Sequence, residues 1–180
     1  MDLTAALADA RRGDEWAIAV LFRTLQPPLM RYLRHHAPDV AEDLAAECWL
    51  AVSKVLANFE GDAQDLRAWL FGAARNQVAN HYRTRGRRLH LVRAEAASGH
   101  APPDPADTVL DTLSAQEAVE ALTRALPADQ AEVVLLRVVG GLSVEQVATI
   151  LGKSPGSVRV AQHRALRRLA KTWQQEAVTR

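Results

Sequence analysis

Four residues constrain this chain more than any others: Gly152-Lys153-Ser154-Pro155, set between two stretches of helical period. A glycine can take the positive φ that ends a helix and turns the chain. Serine followed by proline starts the next helix, since the hydroxyl caps free N–H groups and a proline in the first turn forfeits no hydrogen bond. Upstream, Ser143-Val-Glu-Gln146 has the spacing of a capping box. Val144, Val147, Ala148 and Leu151 then recur on one face, with Ala148 small where two helices would cross. Downstream, Val158 and Ala161 face inward. The pattern predicts a helix-turn-helix.

The second helix leaves Arg159, Val160, His163, Arg164 and Arg167 facing out, the positions a recognition helix offers to a DNA major groove. Lys153 and Arg168 flank them and suit phosphates. Between Glu145 and Glu176 there is no acid, against six Lys or Arg. A plain α-hairpin with a solvated basic face has the same apolar spacing. The charge stripe is what favours nucleic acid.

The remainder reads as helix with one interruption. Asp14 to Gln26 carries Trp16, Ile18, Leu21, Phe22 and Leu25 in helical register, and Pro27-Pro28 is expected to break it. Asp39-Val-Ala-Glu42 resembles a capping box, opening a helix with Val40, Leu44, Cys48, Val52 and Val55 on one side. After a loop around Gly61, Asp65 is expected to cap a helix from Leu66 to about Arg85. Residues 94–107 are small, polar and proline-rich with no apolar period, which reads as a flexible linker. Ser114-Ala-Gln-Glu117 is a further capping box, and Leu126-Pro127 starts a helix that Gly140-Gly141 stops. No strand alternation or internal repeat is found. The expected fold is all-α: two small helical domains, 1–93 and 108–180, joined by a flexible linker at 94–107, the second a helix-turn-helix.

The net charge of +1 is uninformative, but its distribution is not. From Arg67 to Arg93 there are seven arginines, two histidines and no acid, an electrostatic track for a nucleic-acid backbone. Within it Asn76 and Asn80 lie one turn apart. Asp39, Glu42, Asp43 and Glu47 make an acidic face with no base as far as Leu50. Opposite charges in one small domain point to two partners, although acids near a helix start also serve as ordinary dipole complements.

Several classes fall away. The single cysteine, Cys48, permits no intramolecular disulfide, fits a reducing cytosol, and lies in register with Leu44 and Val52 as a buried small hydrophobe. No apolar run approaches the roughly 18 to 20 residues that span a bilayer, and the first residues do not form a signal peptide. No phosphate-cradling glycine loop is present. His35-His36 with Asp39, Glu42 and Glu47 crosses Pro38, so these do not share a helical face as metal ligands would. No catalytic residue, metal or cofactor is assigned, and the chain is not read as an enzyme.

These motifs resemble a bacterial RNA polymerase sigma factor of the extracytoplasmic-function (ECF) group, in the sigma-70 family, which keeps regions 2 and 4. "AEDLAAECWLAV" is similar to region 2.2, "LRAWLFGAARNQVANHYRTRGRR" to regions 2.3 and 2.4, and "LPADQAEVVLLRVVGGLSVEQVATILGKSPGSVRVAQHRALRRL" to region 4. The resemblance implies that Glu42, Asp43, Glu47 and Trp49 dock on the clamp coiled coil of core polymerase, and that Val134 and Leu135 hold its flap tip. It implies that Arg75, Asn76, Asn80, Arg83, Arg87 and Arg88 meet the −10 element, melted and captured with the loop from Asn58 to Asp65. Trp69, Phe71 and Tyr82 are the aromatics near enough to stack on its bases, Trp69 lying on the apolar stripe. Lys153, Ser157, Arg159, His163, Arg164 and Arg167 would read the −35 element as duplex. Many members have serine and arginine where this chain has Val160 and Ala161, which alters the −35 sequence expected and not the fold. No extension follows region 4, so regulation is expected from a separate anti-sigma factor, in the cytoplasm, without membrane insertion. The competing reading is an autonomous helix-turn-helix regulator that binds duplex operator DNA without polymerase.

Overall fold

A computed structural model describes residues 3–92 and 110–178, apart from the side chains of 86–92, 110–114, 173 and 175–178. Among the described residues every regular element is helical. The helices are α1 (Leu3–Arg11), α2 (Glu15–His36), α3 (Ala41–Val55), α4 (Ala63–Val92), α5 (Leu110–Arg124), α6 (Ala128–Val134), α7 (Val144–Leu151) and α8 (Pro155–Val178). A π-turn, Leu135–Val139, continues α6. The expected linker, 94–107, lies outside the described residues.

Helix α2 does not break at Pro27-Pro28. Leu21, Leu25, Leu29, Tyr32 and Leu33 continue the buried stripe across the prolines. Each large buried side chain is worth roughly 1.5–3 kcal/mol. Together they outweigh the two lost N–H donors and the ring clashes, which cost about 3 kcal/mol for a mid-helix proline. The phase of this helix also differs from its sequence reading. Ala17, Val20, Leu21 and Leu25 face the core, while Trp16, Ile18 and Phe22 are 58%, 39% and 43% exposed. Both stripes are apolar, so periodicity alone could not choose between them.

Helix α1 was not anticipated, although Leu3, Ala6, Leu7 and Ala10 have the spacing for it, and the last three are buried. The Asp39 capping box is not formed. Pro38–Val40 is a 3-10 turn, and Val40, with no side-chain bond, stands at the start of α3. Asp62, not Asp65, caps α4, accepting from the Gln64 and Asp65 N–H groups at 2.8 Å each, while Asp65 accepts from the Asp62 N–H. Helix α5 begins at Leu110, so Ser114 lies inside it rather than at its cap.

The C-terminal motif forms as its residues dictate. Ser143 Oγ accepts from the Gln146 N–H, and Gln146 Oε1 accepts from the Ser143 N–H. Gly152 has φ +63°, and Ser154 Oγ accepts from the Ser157 N–H. Val147, Ala148 and Val158 are buried where α7 meets α8. One apolar core runs through α1–α4 and onward to Val119, Val133, Leu135, Leu136, Leu142 and Val147. The two helical units are therefore docked. Gly140 sits at the junction, where an added Cβ would lie 2.6 Å from Leu136 O and 3.3 Å from the Phe71 ring.

Replacing Pro27 by alanine restores an α2 hydrogen bond without touching the core. Urea unfolding of Pro27→Ala is expected to show a gain of about 1–3 kcal/mol. A loss of stability would mean that the proline is matched to its local backbone.

Candidate nucleic-acid interface and polymerase-binding surface

Three surfaces carry the chemistry. The first is the outer side of α4. Asn76, Asn80 and Arg83 fall on one exposed face, and the Arg83 guanidinium donates to Asn80 Oδ1. Arg75 does not share it. One residue on, the helix has turned by about 100°, and Arg75 points to α2 and α6, its Nε 3.7 Å from Glu132 Oε1. Arg87 and Arg88 lie near the end of α4, and their side chains are outside the described residues. Of the aromatics, Phe71 is fully buried, Trp69 is half-buried and Tyr82 is 49% exposed, its hydroxyl donating to the His36 carbonyl. Trp69, Gly72, Ala73 and Asn76 form one wall of a groove of about 600 Å³, and Glu145, Gln146, Thr149 and Ile150 of α7 form the other.

The second surface is α8. Lys153, Ser157, Arg159, His163, Arg164 and Arg167 are all exposed, with Val160 among them at 50%. The row begins at the free N–H groups of the α8 N-terminus, which favour anions. Arg159 is held by Glu145 at 2.8 Å, an ion pair open to water and therefore weak.

The third is the acidic side of α3. Glu42, Asp43 and Glu47 are exposed, and Arg34 pairs with Glu42 at 3.0 Å. Trp49 packs on Phe22 with ring centroids 4.9 Å apart, and its Nε1 donates to Gln26 Oε1 at 2.6 Å. Leu50 beside it is 61% exposed. Phe22 and Leu50 thus join an apolar patch rimmed by carboxylates. The sequence reading missed both, having turned Phe22 inward with the wrong helical phase. Cys48 beneath this surface is fully buried, and burial pushes its thiol up to about 12.

Val134 and Leu135 are not surface residues. Val134 packs with Leu126, Ala131, Ala165 and Leu169, and Leu135 belongs to the main core. The π-turn rotates Val138 outward instead, to 63% exposure.

A half-buried polar cluster lies between the units. Glu132 of α6 accepts from the Tyr32 hydroxyl at 2.8 Å, and its other oxygen lies 2.9 Å from His36 Nε2. Burial pushes the Glu132 carboxyl up, but bonds and charges from His36, Tyr32 and Arg75 outweigh it and hold the group below its ordinary value. Burial and then the Glu132 charge raise the Tyr32 phenol, which stays a donor. Burial, then His36, lowers His35, which meets Thr123 Oγ1 at 3.4 Å. No group of three or more His, Cys, Asp or Glu among the described residues could hold a metal ion. None of their helices is long and apolar enough to cross a membrane.

Two basic helical surfaces on two helical units, one of them a helix-turn-helix, beside an acidic and apolar face are the features of a DNA-binding transcription factor. Comparison with known proteins agrees. Residues 21–88 match the model for Sigma-70 region 2, and residues 116–169 match that for Sigma-70, region 4. The ECF RNA polymerase sigma factor SigD of Mycobacterium tuberculosis is 36% identical over 174 residues, covering 93% of this chain and 82% of that protein. In fold the chain is similar to CnrH, solved with the cytosolic domain of CnrY, at TM-score 0.61 and 23% identity, covering 97% of this chain and 99% of that one. It is also similar to the sigma factor RpoE of Bartonella quintana, solved with the anti-sigma factor NepR, at TM-score 0.58 and 25% identity over 91% and 98% of the two chains. The chain belongs to the ECF sigma factors of the sigma-70 family, transcription initiation factors and not enzymes.

The Glu132 contact has a signed pH dependence. A carboxyl held below its ordinary value contributes stability that is complete above that range and is lost as pH falls through the lowered value. The stability difference between the wild type and Glu132→Gln, roughly 1–3 kcal/mol at neutral pH, should shrink as pH drops below 4.5. Urea titrations between neutral and acid pH measure it. A difference independent of pH would remove the carboxylate from the contact.

Proposed function

We propose that this sigma factor reads its promoter with two separately mounted faces. The outer side of α4, with Asn76, Asn80, Arg83 and the arginines beyond, holds the melted −10 strand. The exposed row of α8, Lys153, Ser157, Arg159, His163, Arg164 and Arg167, reads the −35 duplex. The observation that carries this reading is charge segregation: residues 67–93 and 146–175 each carry a run of basic residues and no acid, and all six of the α8 row are exposed. Arginines supply bidentate donors to guanine edges and charge to phosphates. Val160 offers a methyl contact to thymine and no hydrogen bond, which sets a −35 preference of its own.

Core polymerase docks on the third surface. Glu42, Asp43 and Glu47 meet a basic helical face of the polymerase while Trp49, Phe22 and Leu50 bury apolar area against it, the composition of a specific interface. On the C-terminal unit the exposed Val138 takes the role first assigned to the buried Val134 and Leu135. Regulation comes from an anti-sigma factor, as the RpoE relative solved with NepR supports, and the protein acts in the cytoplasm, where core polymerase is. Residues 94–107 join the two readers, with domain limits at 93 and 108.

In vitro transcription tests this directly. Purified chain, core polymerase and a fragmented genomic library should yield discrete 5′ ends sharing two upstream elements. Specific duplex binding without core, and no core-dependent starts, would instead establish an autonomous regulator. Arg164→Ala is expected to cost roughly 1–3 kcal/mol of −35 recognition, read as reduced run-off from a matched promoter with an unchanged −10 preference. Glu47→Arg should weaken capture of core polymerase while circular dichroism stays that of the wild type. Undiminished capture would exclude α3 as the docking face.

A further inference from the structure

Helix α1 ends on two arginines that behave differently. Arg12 stays on its own helix, donating to the Ala8 carbonyl at 3.3 Å and pairing with Asp9. Arg11 crosses 50 positions of sequence to donate from Nη2 to the carbonyl of Gly61. It is held on the way there. Ala6, Leu7 and Ala10 seat α1 in the core, and Arg11 Nε is enclosed with no acceptor. Leaving a buried N–H unpaired is costly, so the stability of the fold does not by itself account for this side chain. Arg11 also lies upstream of residues 21–88, the stretch that matches Sigma-70 region 2.

Gly61 lies in the loop that leads into α4, and most of that loop is fixed by other means. Upstream, Leu56 is buried, and Phe59 packs against the core with its N–H donating to the Leu56 carbonyl at 3.2 Å. Downstream, the carboxylates of Asp62 and Asp65 bind the N–H groups at the start of α4. Between these anchors, the Arg11 bond is the one hydrogen bond that Glu60 and Gly61 make among the described residues. Gly61 has φ +127°, a conformation that side chains rarely adopt, and a Cβ there would lie 2.8 Å from Asp65 Oδ2. The residue of the loop with the widest conformational freedom is thus the one that Arg11 holds.

The loop stands at one end of a stripe along α4. Asp65, Trp69, Gly72, Asn76, Asn80 and Arg83 follow one another at intervals of three and four, so they share a helix face about 27 Å long. At the loop end the exposed Asn58 and Glu60 add an amide and a carboxylate, groups that read base edges. A loop discriminates between bases only as sharply as its backbone is fixed, because each conformation offers its groups at different positions. We propose that Arg11 is a positioning residue for −10 recognition: by holding the Gly61 carbonyl it sets the conformation in which the loop presents Asn58 and Glu60 to an unpaired base. Helix α1 thereby takes part in promoter selection, acting through the loop and not through DNA. This rests on the reading of the loop and α4 as the seat of the melted −10 strand.

Sequence selection by the holoenzyme tests this. Core polymerase assembled with the full chain is offered a pool of DNA forks, random both in the −35 duplex and in the single-stranded non-template arm at −10, and the bound fraction is sequenced. The wild type should enrich a distinct sequence in each. Arg11→Met keeps the apolar stem and removes the donors. Its base preference in the single-stranded arm should fall several-fold, while its preference in the duplex stays that of the wild type. Arg11→Gln, whose shorter side chain falls short of Gly61, carries the same expectation should Arg11→Met lose helix content by circular dichroism. Unchanged preference in the single-stranded arm overturns the proposal. Weaker binding spread equally over all sequences also overturns it, because that is the mark of a phosphate contact or of lost folded protein. A wild type that enriches nothing in the single-stranded arm removes the −10 reading and the proposal together, whereas a failure confined to the variants leaves that reading standing.

Discussion

A carboxylate leaves water only where its oxygens find partners, and Glu132 finds them only if two helical units meet in one geometry. Tyr32, His36 and Arg75 supply the donors, and Glu132 is the one residue on which the ion pairs between the units converge among the described residues. The rest of the arrangement is consistent with that requirement. Gly140 lets the π-turn close over Phe71, Arg67 and Gln64 tie down the carbonyls of Gly140 and Gly141, and the apolar core becomes continuous across both units.

The three functional surfaces differ in how local physics builds them. The α8 row needs only a helix with a capped start, so short-range rules suffice. The α3 face needs two helices in register, because Trp49 is placed by Phe22 and Gln26 of α2. At its Trp69 to Asn76 end the α4 face depends on long-range docking, since α7 forms the far wall of a groove there. Increasing dependence on tertiary contact runs parallel to increasing scope for regulation, because a surface that depends on docking changes when docking changes.

The corrections to the sequence reading share this origin. Pro27 and Pro28 are helix breakers by local rule, and a buried stripe of leucines overrides them. Val134 and Leu135 read as a partner-binding pair because nothing local distinguishes a buried apolar residue from a docking one. Their burial, and the π-turn that exposes Val138, are packing outcomes. Asp65 lost its role as cap to Asp62, three residues upstream, whose carboxylate accepts from the Gln64 and Asp65 N–H groups.

The sequence by itself determined the helical class, the helix-turn-helix with its Ser143 and Ser154 caps and Gly152 turn, the two basic faces and the family. These follow from periodicity, capping and charge order, which act over a few residues and survive any arrangement of the units. Only the tertiary structure decided which side of α2 is buried, that Arg75 leaves the Asn76 face, and that Glu132 finds its partners across the junction. Those outcomes depend on contacts between residues far apart in the chain, 100 positions for Tyr32 and Glu132, whose energies come from shape and desolvation rather than from any spacing along the chain.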